Sequence, residues 1–141
     1  MMQFQDVTSR ASEGEFLEVL ALAVGHPTPD KLTSIVKTYA SSSRRLFALV
    51  TEDGVAGIVG VELLVAGRSR ILHIAVPARL RGRGIGRRLL TEVLTAVGAT
   101  ELVAQTDTDA IGFYRACGFA VSSLGEMYPG VERFECRLGT A

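Results

Sequence analysis

The sequence predicts a mixed α/β fold: one sheet of about six to seven strands flanked by about four helices, in the order β-αα-βββ-α-β-α-ββ. Three observations carry that reading. Two helical patterns lie near the start, before any long strand. Three strand patterns then follow in close succession, joined by tight turns. Finally, a nearly continuous apolar run, Ile71 to Val76, leads through a glycine–arginine loop into an amphipathic helix, the crossover that a parallel strand pair requires.

Each element has its own signal. Met2 to Val7 alternates weakly and reads as an edge strand. Phe16, Val19, Leu20 and Ala23 recur at helical spacing, with Ser12 as the expected N-cap and Gly25-His26-Pro27 as the stop. Thr28-Pro29-Asp30 supplies an N-cap, a first-position proline and a first-turn acid for a second helix reaching about Tyr39. Ser41-Ser42-Ser43 is a loop. Leu46 to Thr51 and Val55 to Val65 are strands about the turn Glu52-Asp53-Gly54, with Gly57 and Gly60 marking a bulge or bend in the second. After the turn Ala66-Gly67-Arg68, Ile71 to Val76 has the composition of a central strand buried on both faces. Leu89, Leu90, Val93, Leu94 and Val97 mark one face of a helix that Gly98 ends. Glu101 to Thr106 is a strand, and Thr108 to Ala116 a helix closed by Cys117-Gly118. Phe119 to Ser122 is short and extended, Glu126 to Gly130 a loop, and Val131 to Leu138 the last strand.

Composition narrows the function. Residues 1–141 suit a single domain with a substantial core. Formal net charge is zero, so no molecule-wide field draws in nucleic acid or membrane, and no aromatics interleave with the basic residues as a strand-binding surface needs. Two cysteines, Cys117 and Cys136, offer neither a disulfide framework nor a metal-ligand spacing. The start, MMQFQDVTSR, lacks the basic-then-apolar pattern of a signal peptide, and no apolar run is long enough to span a bilayer. The expectation is a cytoplasmic protein with no metal, no nucleic-acid partner and no membrane partner.

Against that neutral background one stretch is locally charged. Five arginines fall between Arg79 and Arg88, interleaved with Gly82, Gly84 and Gly86. Glycine lets backbone N–H groups approach a ligand closely, the following helix presents its positive end, and arginine adds charge-assisted donors suited to phosphate oxygens. The loop reads as a cradle for a phosphorylated cofactor. It is not a Walker loop, because Gly86 is followed by Arg87-Arg88 rather than Lys-Ser/Thr. It is not a full dinucleotide fingerprint either, although Asp107 ends the next strand near where that fold keeps a ribose-binding acid. Spacing alone leaves the cofactor open.

The residues resemble a known family. Arg81-Gly82-Arg83-Gly84-Ile85-Gly86 is similar to the R/Q-x-x-G-x-G/A loop of the GNAT superfamily of N-acetyltransferases. The segment Asp107 to Phe119, DTDAIGFYRACGF, resembles the family's N-x-x-A-x-x-F-Y-x-x-x-G-F signature, with Asp107 where Asn is usual. The resemblance implies a GNAT-like mixed sheet and an acetyl-coenzyme A (acetyl-CoA) co-substrate. It implies that backbone amides of Arg81, Gly82, Arg83, Gly84, Ile85, Gly86 and Arg87 hold the pyrophosphate, and that Ile74, Ala75 and Val76 pair with the pantetheine arm. Ala110, Phe113 and Tyr114 would line the opposite wall, with Asp107 as a further contact.

The resemblance further implies acetyl transfer to an amine of a small molecule or peptide. That chemistry needs a proton for the departing thiolate, an oxyanion donor and a route for the amine's proton. The expected acid is Tyr114 and the oxyanion donor the Val76 N–H, with His73 or Glu62 as base or relay unless water serves. Cys117 at a helix C-terminus is a poor nucleophile, which favours direct transfer in a ternary complex. Glu126 and Tyr128 are candidate walls of the acceptor site. The alternative from another class is a silent acyl-CoA-binding sensor or interaction module. A mixed sheet also leaves edges through which a homodimer can form.

Overall fold

A computed structural model describes residues 1–139. Seven strands form one sheet: β1 (Gln3–Asp6), β2 (Arg44–Thr51), β3 (Gly54–Leu63), β4 (Arg68–Ala75), β5 (Glu101–Thr106), β6 (Ala120–Tyr128) and β7 (Val131–Gly139), in the order β1-β2-β3-β4-β5-β7-β6. Every neighbouring pair is antiparallel except β4 with β5, as the crossover between them demands. That crossover contains α3 (Ile85–Ala96); the other helices are α1 (Gly14–Ala21), α2 (Pro29–Thr38) and α4 (Ile111–Ala116).

Strand alternation sorts the core into two layers. On one face Val59 and Val61 of β3 pack with Leu89, Leu90 and Val93 of α3 and with Tyr114 of α4. On the other, Leu46, Ala48 and Ile58 pack with Phe16, Val19 and Leu20 of α1 and with Tyr39, which caps α2. Gly57 lets α3 approach β3: a Cβ there would lie 2.9 Å from the Leu89 side chain.

Several sequence expectations hold and several need correction. Thr28 caps α2, its Oγ1 accepting from Lys31 N at 3.2 Å. The N-cap of α1 is Glu13 rather than Ser12, and no side chain bonds there. The bulge expected in β3 lies beside Gly57: Leu49 pairs with Gly57 and Val50 with Val55, so Ala56 is the extra residue. Opposite Gly60 the bulge is on the partner strand instead: Gly60 pairs with His73 and Val61 with Ile71, so Leu72 on β4 is the extra residue. α4 starts at Ile111, not Thr108, because the preceding turn is closed by the Asp107 carboxylate accepting from Asp109 N at 3.1 Å. β6 is longer than expected and takes in Glu126 to Tyr128, since pairing with β7 overrides the local breaker Gly125; the turn is confined to Pro129 and Gly130. Ile71 to Val76 is not buried on both faces: Ile71 and Ala75 are buried, but Leu72, His73, Ile74 and Val76 are half-exposed.

That last difference has a structural cause. The β4–β5 ladder consists of three pairs only, Arg68 with Glu101, Ser69 with Leu102 and Arg70 with Val103. Beyond Arg70 the ladder stops, while β5 stays paired with β7 through Thr106. The sheet is therefore open along the second half of β4.

Candidate active site

The opening in the sheet becomes a cleft because the elements around it leave it unfilled. Residues 76–84 link β4 to α3, and Gly82 and Gly84 both adopt positive φ, 79° and 77°. Neither has another group within 4 Å of where a Cβ would stand, so glycine is required by conformation and the space stays open. Gly84 is the N-cap of α3 and offers no side chain, leaving the first-turn N–H groups of that helix unsatisfied by any cap. Unpaired N–H groups at the positive end of a twelve-residue helix make an anion site.

The arginines divide into two groups. Arg81 Nε donates to the Val76 carbonyl at 3.1 Å and ties the loop back to the end of β4. Arg87 donates to the Ala116 carbonyl at the end of α4, and Arg88 pairs loosely with Glu92 at 3.9 Å. Arg79 and Arg83 take no partner among the described residues and remain free to meet a ligand.

Twelve of the residues expected from the sequence to contact the cofactor line this single cleft of about 540 Å³: Ile74, Ala75, Val76, Arg81, Gly82, Gly84, Ile85, Gly86, Arg87, Ala110, Phe113 and Tyr114. Arg83 and Asp107 are not in its lining. One oxygen of the Asp107 carboxylate is taken by its own turn, accepting from Asp109 N. The sequence reading missed Leu22, Leu80, Ala116 and Cys117, which also line the cleft. Leu22 follows α1 on the opposite face of the sheet, and nothing local in the sequence ties it to β4. Its presence shows that the cleft passes between the two layers.

Tyr114 is the buried polar group of the cleft wall. It is 6% exposed, held edge-on between Phe113 and Phe119 at ring distances of 5.2 and 5.1 Å. Its hydroxyl has no hydrogen-bond partner among the described residues. Burial, reinforced by the nearby Cys136 and Cys117 thiols, pushes its pKa up to about 12, so the phenol stays protonated. Cys117 is half-buried, and burial raises its pKa too, against a smaller pull from Arg87. A thiol held neutral is a poor nucleophile.

The two candidate bases lie on the α1 and α2 side of the sheet. Neither lines the cleft. The Glu62 carboxylate is shared by Arg44 at 3.2 Å and Arg70 at 3.4 Å, a row across β2, β3 and β4 that neutralises it in place. His73 bonds through Nδ1 to the Tyr39 hydroxyl at 2.6 Å. Burial first, and the Arg44 charge second, hold its imidazole below the ordinary value. Glu126 and Tyr128 stand on the outer hairpin: Glu126 Oε1 accepts from Gly130 N at 2.6 Å, and Tyr128 is exposed. Among the described residues no group of three or more His, Cys, Asp or Glu could hold a metal ion, and no helix is long and apolar enough to cross a membrane.

Residues 42–121, more than half of the chain, match the family model of the Acetyltransferase (GNAT) domain. The chain belongs to the GNAT acetyltransferase family. Solved structures agree in fold with this GNAT chain. A GNAT-family protein from Desulfovibrio desulfuricans superposes with a TM-score of 0.80 over 100% of both chains at 21% identity. A GNAT acetyltransferase from Elizabethkingia anophelis with acetyl-CoA bound gives 0.72 over 99% of this chain and 98% of the other, at 18% identity. A peptidyl-lysine N-acetyltransferase of Salmonella typhimurium is 42% identical over 57 residues, which is 36% of this chain. The matched stretches make up 22% and 39% of the lengths of the two curated relatives.

Proposed function

We propose that this GNAT chain transfers an acetyl group from acetyl-CoA to a primary amine, directly, within a ternary complex. One observation carries the reading: a single cleft runs from an uncapped helix N-terminus, past a stretch of β4 that β5 does not pair, to a buried, protonated tyrosine. The residues present fit the co-substrate. The open glycine loop and the first turn of α3 accept a pyrophosphate, and the edge of β4 accepts an extended amide-bearing arm as an added strand.

In this reading the thioester carbonyl lies by the end of β4, where the Val76 N–H stabilises the oxyanion. Tyr114 gives its proton to the leaving thiolate; a phenol kept neutral by burial still has it to give at neutral pH. The neutral Cys117 thiol supports direct attack by the amine over a covalent acetyl-enzyme. Water in the open half of the cleft carries away the amine's proton. The acceptor is a small-molecule or peptidyl amine; the Salmonella relative's name points to the peptidyl kind. Two unpaired thiols suit a cytoplasmic setting.

Calorimetric titration with acetyl-CoA tests the cradle, with NADPH as control, on wild type and on Gly84→Glu. The variant puts a side chain and a negative charge on a positive-φ backbone at the helix start. Saturable binding of acetyl-CoA alone, lost in the folded variant, is the expected result. Binding of NADPH instead, or no binding by folded wild type, rules the reading out.

A further inference from the structure

Tyr39 caps α2 outside the cleft lining, and its side chain is among the most buried in the molecule, 2% exposed. Gly60 makes its placement possible. A Cβ on Gly60 would sit 1.7 Å from the Tyr39 hydroxyl oxygen, so the phenol occupies the space that any other residue there would fill. The Leu72 bulge completes the arrangement. Ile71 faces the α3 layer, and without an extra residue His73 would face it as well; the bulge turns His73 toward Tyr39 instead.

The hydrogen bond between them has a defined direction. The Tyr39 hydroxyl has one polar partner among the described residues, His73 Nδ1 at 2.6 Å. A buried O–H that did not donate to Nδ1 would have no acceptor. The phenol's pKa is raised by burial, so its proton is present throughout the working range. Nδ1 must then be the unprotonated nitrogen, and the proton of the neutral ring is on Nε2, which has no partner among the described residues. The charged groups on the same sheet face are the cross-strand row Arg44, Glu62 and Arg70. Arg44 opposes a second positive charge on the ring and so favours the same neutral form.

His73 stands outside the cleft lining but next to Ile74 within it, and its Nε2, unpartnered among the described residues, is not sealed in the core. We propose that Tyr39 is a positioning residue that locks His73 in its Nε2–H tautomer, so that His73 offers the acceptor a neutral hydrogen-bond donor and does not act as the base. This rests on the acetyltransferase reading for its purpose, but not for its geometry. The donor is chemically suited to an oxygen of the acceptor, such as a carbonyl, hydroxyl or carboxylate beside the amine.

Long-range 1H–15N spectra of histidine-labelled protein test the geometry without any substrate, with His73→Gln assigning the signals against His26. At pH 7.5 the expected pattern for His73 is a bare Nδ1 and a protonated Nε2, titrating below the ordinary imidazole value. In Tyr39→Phe, which keeps the buried ring, the two tautomers should mix and the midpoint should rise. A protonated Nδ1 in wild type overturns the proposal by itself, whether or not the variant folds. So does an unchanged tautomer in folded Tyr39→Phe. A second arm follows thiol release from acetyl-CoA with Nα-acetyl-lysine amide as the amine probe. His73→Gln, which restores a donor, should keep activity within about threefold, whereas His73→Leu should lose about tenfold or more. Equal loss in both, with disappearance of an acidic limb in the pH profile of kcat/KM, would mark His73 as the base and refute the donor role. If the probe is not turned over at all, the acetyltransferase reading is at issue, and the spectra still decide the tautomer.

Discussion

At Tyr114 packing and the proposed chemistry meet. Its ring is wedged between two phenylalanines, which fixes the hydroxyl's direction, and the same burial keeps the phenol neutral. Replacing it by Phe preserves the ring contacts and removes only the proposed proton donor. The expected outcome is a kcat about 100-fold lower, as befits loss of a general acid, with acetyl-CoA affinity within about twofold. The sign of the pH dependence follows from the raised pKa: the acid form persists from neutral pH up to about 12, so this group contributes no alkaline limb near pH 8. Unchanged turnover by the variant would return Tyr114 to packing alone, whereas acetyl-CoA binding with no turnover by wild type would favour a silent acyl-CoA-binding module. The residue was legible in the sequence because it sits within DTDAIGFYRACGF; its burial and its free hydroxyl were not.

At the scale of elements, one close approach joins α3 to α4. Gly86 lies in the first turn of α3, and a Cβ there would stand 2.8 Å from the Phe113 ring of α4. α4 has only six residues, too short to hold itself together, so its position depends on such packing. Gly86→Ala should therefore destabilise the protein, by about 1–3 kcal/mol for overpacking, even though alanine favours helix by about 1 kcal/mol. In a Phe113→Ala background the clash is gone and the same change should stabilise. Chemical denaturation of the four proteins checks the reversal; a destabilisation of equal size in both backgrounds would show that the glycine serves something other than that ring. Here the sequence pattern marked both residues but could not show that one exists to seat the other, because they are brought together from separate helices.

At the scale of the whole molecule, the cleft is a place where the sheet does not pair with itself. β4 exposes an unpaired edge toward β5, which costs hydrogen bonds that a ligand strand can restore. Acetyl-CoA would bridge β4, α3 and α4 at once. Saturation at about 100 times Kd should raise stability by about 2.7 kcal/mol, seen as an upward shift of several degrees in Tm. Scanning calorimetry of wild type and Gly84→Glu measures this; a wild-type transition that ignores the ligand would mean the folded protein does not bind acetyl-CoA.

The sequence by itself determined the order of elements, the glycine–arginine loop, the helix that follows it and the paired signatures of the family. These are local: φ preference, capping and apolar period are properties of adjacent residues. Only the tertiary structure decided where β4 leaves β5, that β6 runs through Tyr128, that Glu62 is neutralised by two arginines, and that Gly60 makes room for the Tyr39 hydroxyl beside His73. Each of those depends on how separate elements register against one another. A single bulge residue, Leu72, changes which face a side chain meets, and no local preference encodes that choice.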